Sequence, residues 1–146
     1  MIGAVLLSAV IGAAAVSTAS SLVNLSNLDA LGVELPLSVR LETIGRDWIG
    51  FGPTLAAVML LALVIALPVG ALGARLLRLP RVIGYALASS AAVVVTMLVI
   101  EAYYSMTLGS TITPVPTART LAGLAAMGGA GGVAGLVYAL FAPRTA

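Results

Sequence analysis

The chain has 146 residues, of which 61% are hydrophobic and 8% are charged; the charged residues are seven arginines and five acids. Soluble domains usually carry about 25% charged residues, so this composition excludes an ordinary soluble domain and predicts a domain embedded in a bilayer. The chain contains no cysteine and no histidine, which excludes disulfides, thiol redox chemistry, histidine-ligated haem and histidine-based catalysis.

Four nearly uncharged stretches are long enough to cross a membrane, since a spanning helix needs about 20 apolar residues. They cover residues 2–23, 51–73, 82–103 and 119–141. The first stretch has no basic residues before it and is longer than the core of a usual signal peptide, so it is predicted to be a retained span. The sequence therefore predicts an all-α integral membrane protein with four transmembrane helices in a single domain, residues 1–146.

A polar segment joins the first two spans on the outer side and contains a helical apolar pattern. Leu37, Leu41, Ile44 and Trp48 recur at i, i+4, i+7 and i+11, with mostly polar residues between them. This spacing predicts a short amphipathic helix that lies in the outer membrane interface. Two interpretations stay open: a connector that packs on the bundle at the headgroup level, or a docking surface or lid.

The second outer segment, residues 105–118, contains Pro114 and Pro116 and is predicted to be extended or hairpin-like. Glu101 ends the third span before this segment, and Arg119 begins the fourth span after it. If the two spans pack as neighbours, we expect these residues to form an ion pair. The pair is either structural, with both side chains reaching water, or functional, since ionisable groups in membranes often mark transport sites.

Small residues dominate the fourth span and are spaced for close helix packing. Gly128 and Gly132 are four residues apart, as are Gly131 and Gly135. Such spacing lets helix backbones approach closely in lipid, where packing rather than the hydrophobic effect drives association. The glycine face is predicted to pack either against another helix of the same bundle or against another subunit.

The distribution of arginines predicts the orientation in the membrane. Arg75, Arg78 and Arg81 fall in the short loop between the second and third spans, and Arg144 lies in the tail, with no acid nearby. All five acids fall on the other side. Because cytoplasmic loops are rich in arginine and lysine, both termini are predicted to be cytoplasmic. Arginine without lysine, together with abundant alanine and glycine, suggests a bacterial genome and hence an inner membrane.

No motif for catalysis, cofactor binding or phosphate binding is present, so we expect no enzyme activity and no cofactor. The scattered arginines do not form a nucleic-acid-binding patch. The sequence instead favours a non-catalytic accessory or structural subunit of a larger membrane complex, with other membrane subunits, copies of itself, and lipids as partners. The alternatives are a small homo-oligomeric transporter or channel, which would need more polar residues at depth, and a lipid- or pigment-binding protein.

Overall fold

A computed structural model describes residues 2–32, 36–108, 117 and 120–142. Within these ranges the chain is all α-helical, with α1 (Ile2–Ala30), α2 (Leu37–Gly50), α3 (Gly52–Leu76), α4 (Arg81–Leu108) and α5 (Leu121–Phe141). The helices α1, α3, α4 and α5 are long and apolar enough to span a membrane. This confirms the predicted fold class, including a short helix between the first two spans.

The four long helices form a ring in which each packs against two neighbours. Helix α5 packs against α4 and α1, and α3 packs against the same two helices from the other side. Consecutive spans run antiparallel, so the start of α1, the α3–α4 turn and the end of α5 gather at one end. We call it the arginine end because it holds Arg75, Arg78 and Arg81, and we call the opposite end the carboxylate end. Helix α2 lies outside the ring, against α1 and α3.

The core of the ring consists of small residues and a few larger apolar side chains. Met59, Leu63 and Met127 are among the largest fully buried side chains. Long apolar side chains cover much of the outside instead, including Ile65 on α3 and Leu140 on α5. This inverted distribution is stable in a bilayer, where lipid tails cover the exposed apolar surface.

Helix α1 continues beyond the end predicted at residue 23, because its polar residues at the carboxylate end find tertiary partners. Asn24 accepts a hydrogen bond from the Thr117 hydroxyl, at 3.2 Å between oxygen atoms. Asp29 pairs with Arg40 of α2. These side chains therefore do not turn the chain, and the helix ends before Gly32, whose φ of +81° is readily adopted by glycine.

Helix α4 also runs further than predicted, so residues 105–108 are helical rather than extended. The rest of the predicted extended segment, except Thr117, lies outside the described residues. Helix α5 begins at Leu121 instead of 119, because the Thr120 hydroxyl caps it by accepting a hydrogen bond from the Gly123 amide at 3.0 Å.

Candidate functional site

The glycine face of α5 packs against α4 of the same chain. A methyl group built on Gly135 would overlap the backbone carbonyl of Tyr85, and one on Gly131 would overlap the Val93 side chain. All four glycines that the sequence marks for helix packing are buried: Gly128, Gly131, Gly132 and Gly135. Helix α4 therefore covers this face, which leaves it closed to another subunit.

A second close crossing joins α3 to α4 near the arginine end. A Cβ atom on Gly70 would lie 2.9 Å from the Gly84 carbonyl oxygen, and one on Gly84 would lie 2.8 Å from the Gly70 carbonyl oxygen. This contact was not predicted from the sequence. Its signal is a small residue at i and i+4 on each helix, Gly70 with Ala74 and Gly84 with Ala88.

Helix α2 is fixed to α1 through polar side chains near its C-terminus. The Ser21 hydroxyl donates a hydrogen bond to the Asp47 carboxylate at 2.5 Å. The Trp48 indole N–H donates to the Thr18 hydroxyl at 3.1 Å. Because Ser21 is buried while Asp47 is half-buried, the serine anchors the helix to the edge of the ring.

The rest of α2 is more exposed than its apolar pattern alone implies. Leu37 and Leu41 are 71% and 61% exposed, and Ile44 is half-buried. Near the N-terminal end of α2, Arg40 forms an ion pair with Asp29 of α1. Polar contacts therefore hold α2 on the ring, and its leucines face outward, as an interfacial helix requires.

Thr117 is a buried polar contact point at the carboxylate end. Its hydroxyl lies 2.8 Å from the Ser20 hydroxyl. A Cβ atom built on Gly123 would overlap the backbone carbonyl of Thr117. Thr117 therefore ties the approach to α5 onto α1.

The predicted ion pair of Glu101 with Arg119 cannot be placed, since Arg119 is outside the described residues. Glu101 is half-buried at the carboxylate end, near the C-terminus of α4. Within the described ranges, no group of three or more carboxylates is arranged to hold a metal ion.

An apolar groove of about 330 Å³ opens between α1 and α3, beneath the Trp48 indole. Its lining consists mainly of small residues: Val10, Ala13, Ala14, Ser17, Trp48, Gly52, Pro53 and Ala56. Ser17 is only 3% exposed, and its hydroxyl has no hydrogen-bond partner among the described residues. That oxygen is covered by the surrounding atoms, so the groove presents an almost entirely apolar surface of small residues that is suited to close packing.

Neither a known protein family, nor a curated protein, nor a solved structure matches this chain.

Proposed function

We propose that this chain is a non-catalytic accessory or structural subunit of a larger membrane complex, and that the groove beneath Trp48 receives an apolar helix of a partner subunit. The observation that carries the proposal is the groove itself, with its small-residue lining. In lipid, helices associate through close packing of small residues, and the groove offers such a surface.

The small side chains that line the groove favour a helix over a lipid tail as the occupant. They let the backbone of a partner helix approach closely along its length, whereas a flexible acyl chain gains no such backbone contact. The glycine face of α5 cannot serve this purpose, because α4 already covers it.

We further propose a bacterial inner membrane location with both termini in the cytoplasm. The bacterial inner membrane is supported only by the use of arginine without lysine and by the abundant alanine and glycine. The orientation is supported by the separation of charge between the two ends of the ring. Four described acids lie at the carboxylate end, namely Asp29, Glu42, Asp47 and Glu101, whereas the α3–α4 turn carries three arginines and no acid. Short arginine-rich loops face the cytoplasm. Reporter fusions after residue 142 and within α2 would test the orientation, and an outward C-terminus would contradict it.

The subunit proposal is tested by purifying the tagged chain from its native host in mild detergent and identifying co-migrating proteins by mass spectrometry. We expect a defined hetero-complex. Ala56→Leu would fill the groove and release the partner. Ala57→Leu is the matched control, because Ala57 is adjacent in α3 but lies on the exposed side.

Two outcomes would overturn the proposal. One is a chain that purifies only with copies of itself, which is the result expected for a homo-oligomeric transporter or channel. The other is a hetero-complex that Ala56→Leu and Ala57→Leu affect equally. Thermal unfolding of both variants in the same detergent checks that neither has lost its fold. Ser17→Ala removes the covered hydroxyl and leaves the groove open, so it should retain the partner as the unmodified chain does.

A further inference from the structure

We infer that the arginine end carries a binding site for the phosphate group of an anionic phospholipid, formed by Arg81 and Tyr85. This site is separate from the groove beneath Trp48, and it does not depend on a partner subunit. A cavity, the hydrogen-bond donors that line it and the charge around it support this site.

The cavity lies between the first turn of α4 and the last turn of α5 and has a volume of about 270 Å³. It is lined by Arg81, Val82, Tyr85, Ala139, Leu140 and Ala142. Polar and apolar surfaces therefore meet in one small space at the end of two membrane spans. That is the depth at which a phospholipid changes from headgroup to acyl chain.

The two polar side chains of the cavity contact each other, with Arg81 exposed and Tyr85 buried. The Arg81 guanidinium donates a hydrogen bond to the Tyr85 hydroxyl at 3.1 Å, and it lies 5.7 Å from the centre of the Tyr85 ring. Tyr85 is only 5% exposed, and the Tyr138 ring packs edge-on against it with centroids 5.0 Å apart. The buried tyrosine thus provides a contact point for the exposed Arg81 guanidinium.

This contact leaves hydrogen-bond donors unused. A guanidinium has five N–H donors, and a tyrosine hydroxyl both donates and accepts. The Tyr85 hydroxyl accepts from Arg81, but its own hydrogen has no acceptor within the described part of the chain. A phosphate oxygen is the acceptor that fits, because arginine binds phosphate through parallel, charge-assisted hydrogen bonds.

The charge at this end also favours an anion. The ion pairs seen among the described residues are Arg40–Asp29 and Arg46–Glu42, both at the carboxylate end. Arg75 and Arg78 flank the same α3–α4 turn. Arg78 takes the left-handed conformation, with φ of +53°, at a helix C-terminal position where glycine is usual. Basic clusters beside membrane spans attract anionic lipid headgroups.

The apolar lining favours a lipid over free phosphate as the source of this group. Val82 and Leu140 are exposed beside the cavity, so each offers a surface for an acyl chain while the phosphate contacts Arg81. Soluble phosphate would gain nothing from these two side chains.

The test uses the full chain in mild detergent with native mass spectrometry. The protein is incubated with an equimolar mixture of phosphatidylglycerol and phosphatidylcholine, and the lipids retained on it are counted. We expect selective retention of phosphatidylglycerol. Arg81→Gln should lower the retention of phosphatidylglycerol about tenfold, which corresponds to losing a hydrogen-bonded contact with a charged group. Tyr85→Phe keeps the ring and should lower it in the same direction by a smaller factor.

Arg75→Gln and Arg46→Gln are the controls, since they remove the same charge beside the site and at the opposite end. Both should retain phosphatidylglycerol better than Arg81→Gln does. The proposal is overturned if the two lipids are retained equally, or if Arg75→Gln reduces binding as much as Arg81→Gln. It is also overturned if inorganic phosphate alone displaces phosphatidylglycerol, because the site would then be one for a soluble anion. The unfolding midpoint of each variant separates lost binding from lost fold.

Discussion

Gly135 of α5 lies directly against the backbone carbonyl of Tyr85 in α4, and no side chain larger than hydrogen fits between them. Gly129 of the same helix faces open space, with nothing within 4 Å of its Cβ position. The two positions share a helix and a residue type, so they separate the effect of interhelical packing from the intrinsic cost of glycine in a helix.

We predict that Gly135→Ala destabilises the protein and Gly129→Ala does not. The added methyl at 135 pushes on backbone, which cannot rotate away, and overpacking of this kind costs about 1–3 kcal/mol. At 129 the same change removes a flexible residue and is expected to be neutral or stabilising by about 0.4–1 kcal/mol. Reversible unfolding in mixed detergent micelles measures both.

The free energy of unfolding of Gly132→Ala should lie between those of Gly135→Ala and Gly129→Ala. The atom nearest its Cβ position is the Ser90 hydroxyl oxygen, at 2.7 Å, and a hydroxyl can rotate to another rotamer. If all three alanine variants have the same unfolding midpoint in mixed micelles, the packing of α5 against α4 does not depend on glycine.

The glycine spacing in α5 indicates which face of the helix packs closely, but it does not indicate the neighbour. That choice depends on Tyr85 and Val93, which are distant in sequence and lie on the matching face of α4. A pattern within one helix contains no information about the other side of the contact. For the same reason, the spans could be predicted from composition, whereas their order around the ring could not.

At the carboxylate end, α1 is longer than predicted because tertiary contacts override the turn preference of its local sequence. Asn24 and Asp29 favour turns or caps in isolation. In the structure they remain helical, because Asn24 contacts Thr117 and Asp29 pairs with Arg40. Tertiary partners of this kind are not visible in the local sequence, so the length of α1 could not be predicted. The lack of a hydrogen-bond partner for the Ser17 hydroxyl among the described residues could not be predicted either, because it depends on how the helices pack in the ring.

The crossing of α3 and α4 supplies a second prediction. Gly84→Ala should destabilise the protein by about 1–3 kcal/mol, because its Cβ would lie 2.5 Å from the Ala74 methyl and 2.8 Å from the Gly70 carbonyl oxygen. Gly73→Ala is the control, as its Cβ position has open space around it. Combining Gly84→Ala with Ala74→Gly should restore part of the loss, since it removes one of the two clashes.

Unfolding in mixed micelles again provides the measurement, now as a double-mutant cycle. Strict additivity of Gly84→Ala and Ala74→Gly would show that these residues do not touch. If Gly84→Ala and Gly73→Ala lower the free energy of unfolding equally, the loss in Gly84→Ala does not come from the close crossing of α3 and α4.

The attachment of α2 gives the third prediction, which concerns local rather than global stability. Ser21 is buried, and its hydroxyl donates to the Asp47 carboxylate at 2.5 Å. Hydrogen bonds to charged groups contribute about 1.5–3 kcal/mol. Ser21→Ala should therefore raise amide hydrogen exchange in α2 by about tenfold or more, while exchange in the four spans stays unchanged.

Two further variants show whether the Ser21–Asp47 bond is what holds α2 in place. Trp48→Phe removes the neutral hydrogen bond to Thr18 and should raise exchange less than Ser21→Ala. Glu42→Gln removes an ion pair with Arg46 whose side chains are 59% and 79% exposed, and such pairs contribute about 0–1 kcal/mol. Amide hydrogen exchange in α2 of the Glu42→Gln variant should match that of the unmodified protein. If Ser21→Ala leaves α2 as protected as before, the helix is held by its packing against α1 and α3. If it also loosens the spans, Ser21 stabilises the ring itself, and α2 is part of the cooperative fold rather than a separately attached element.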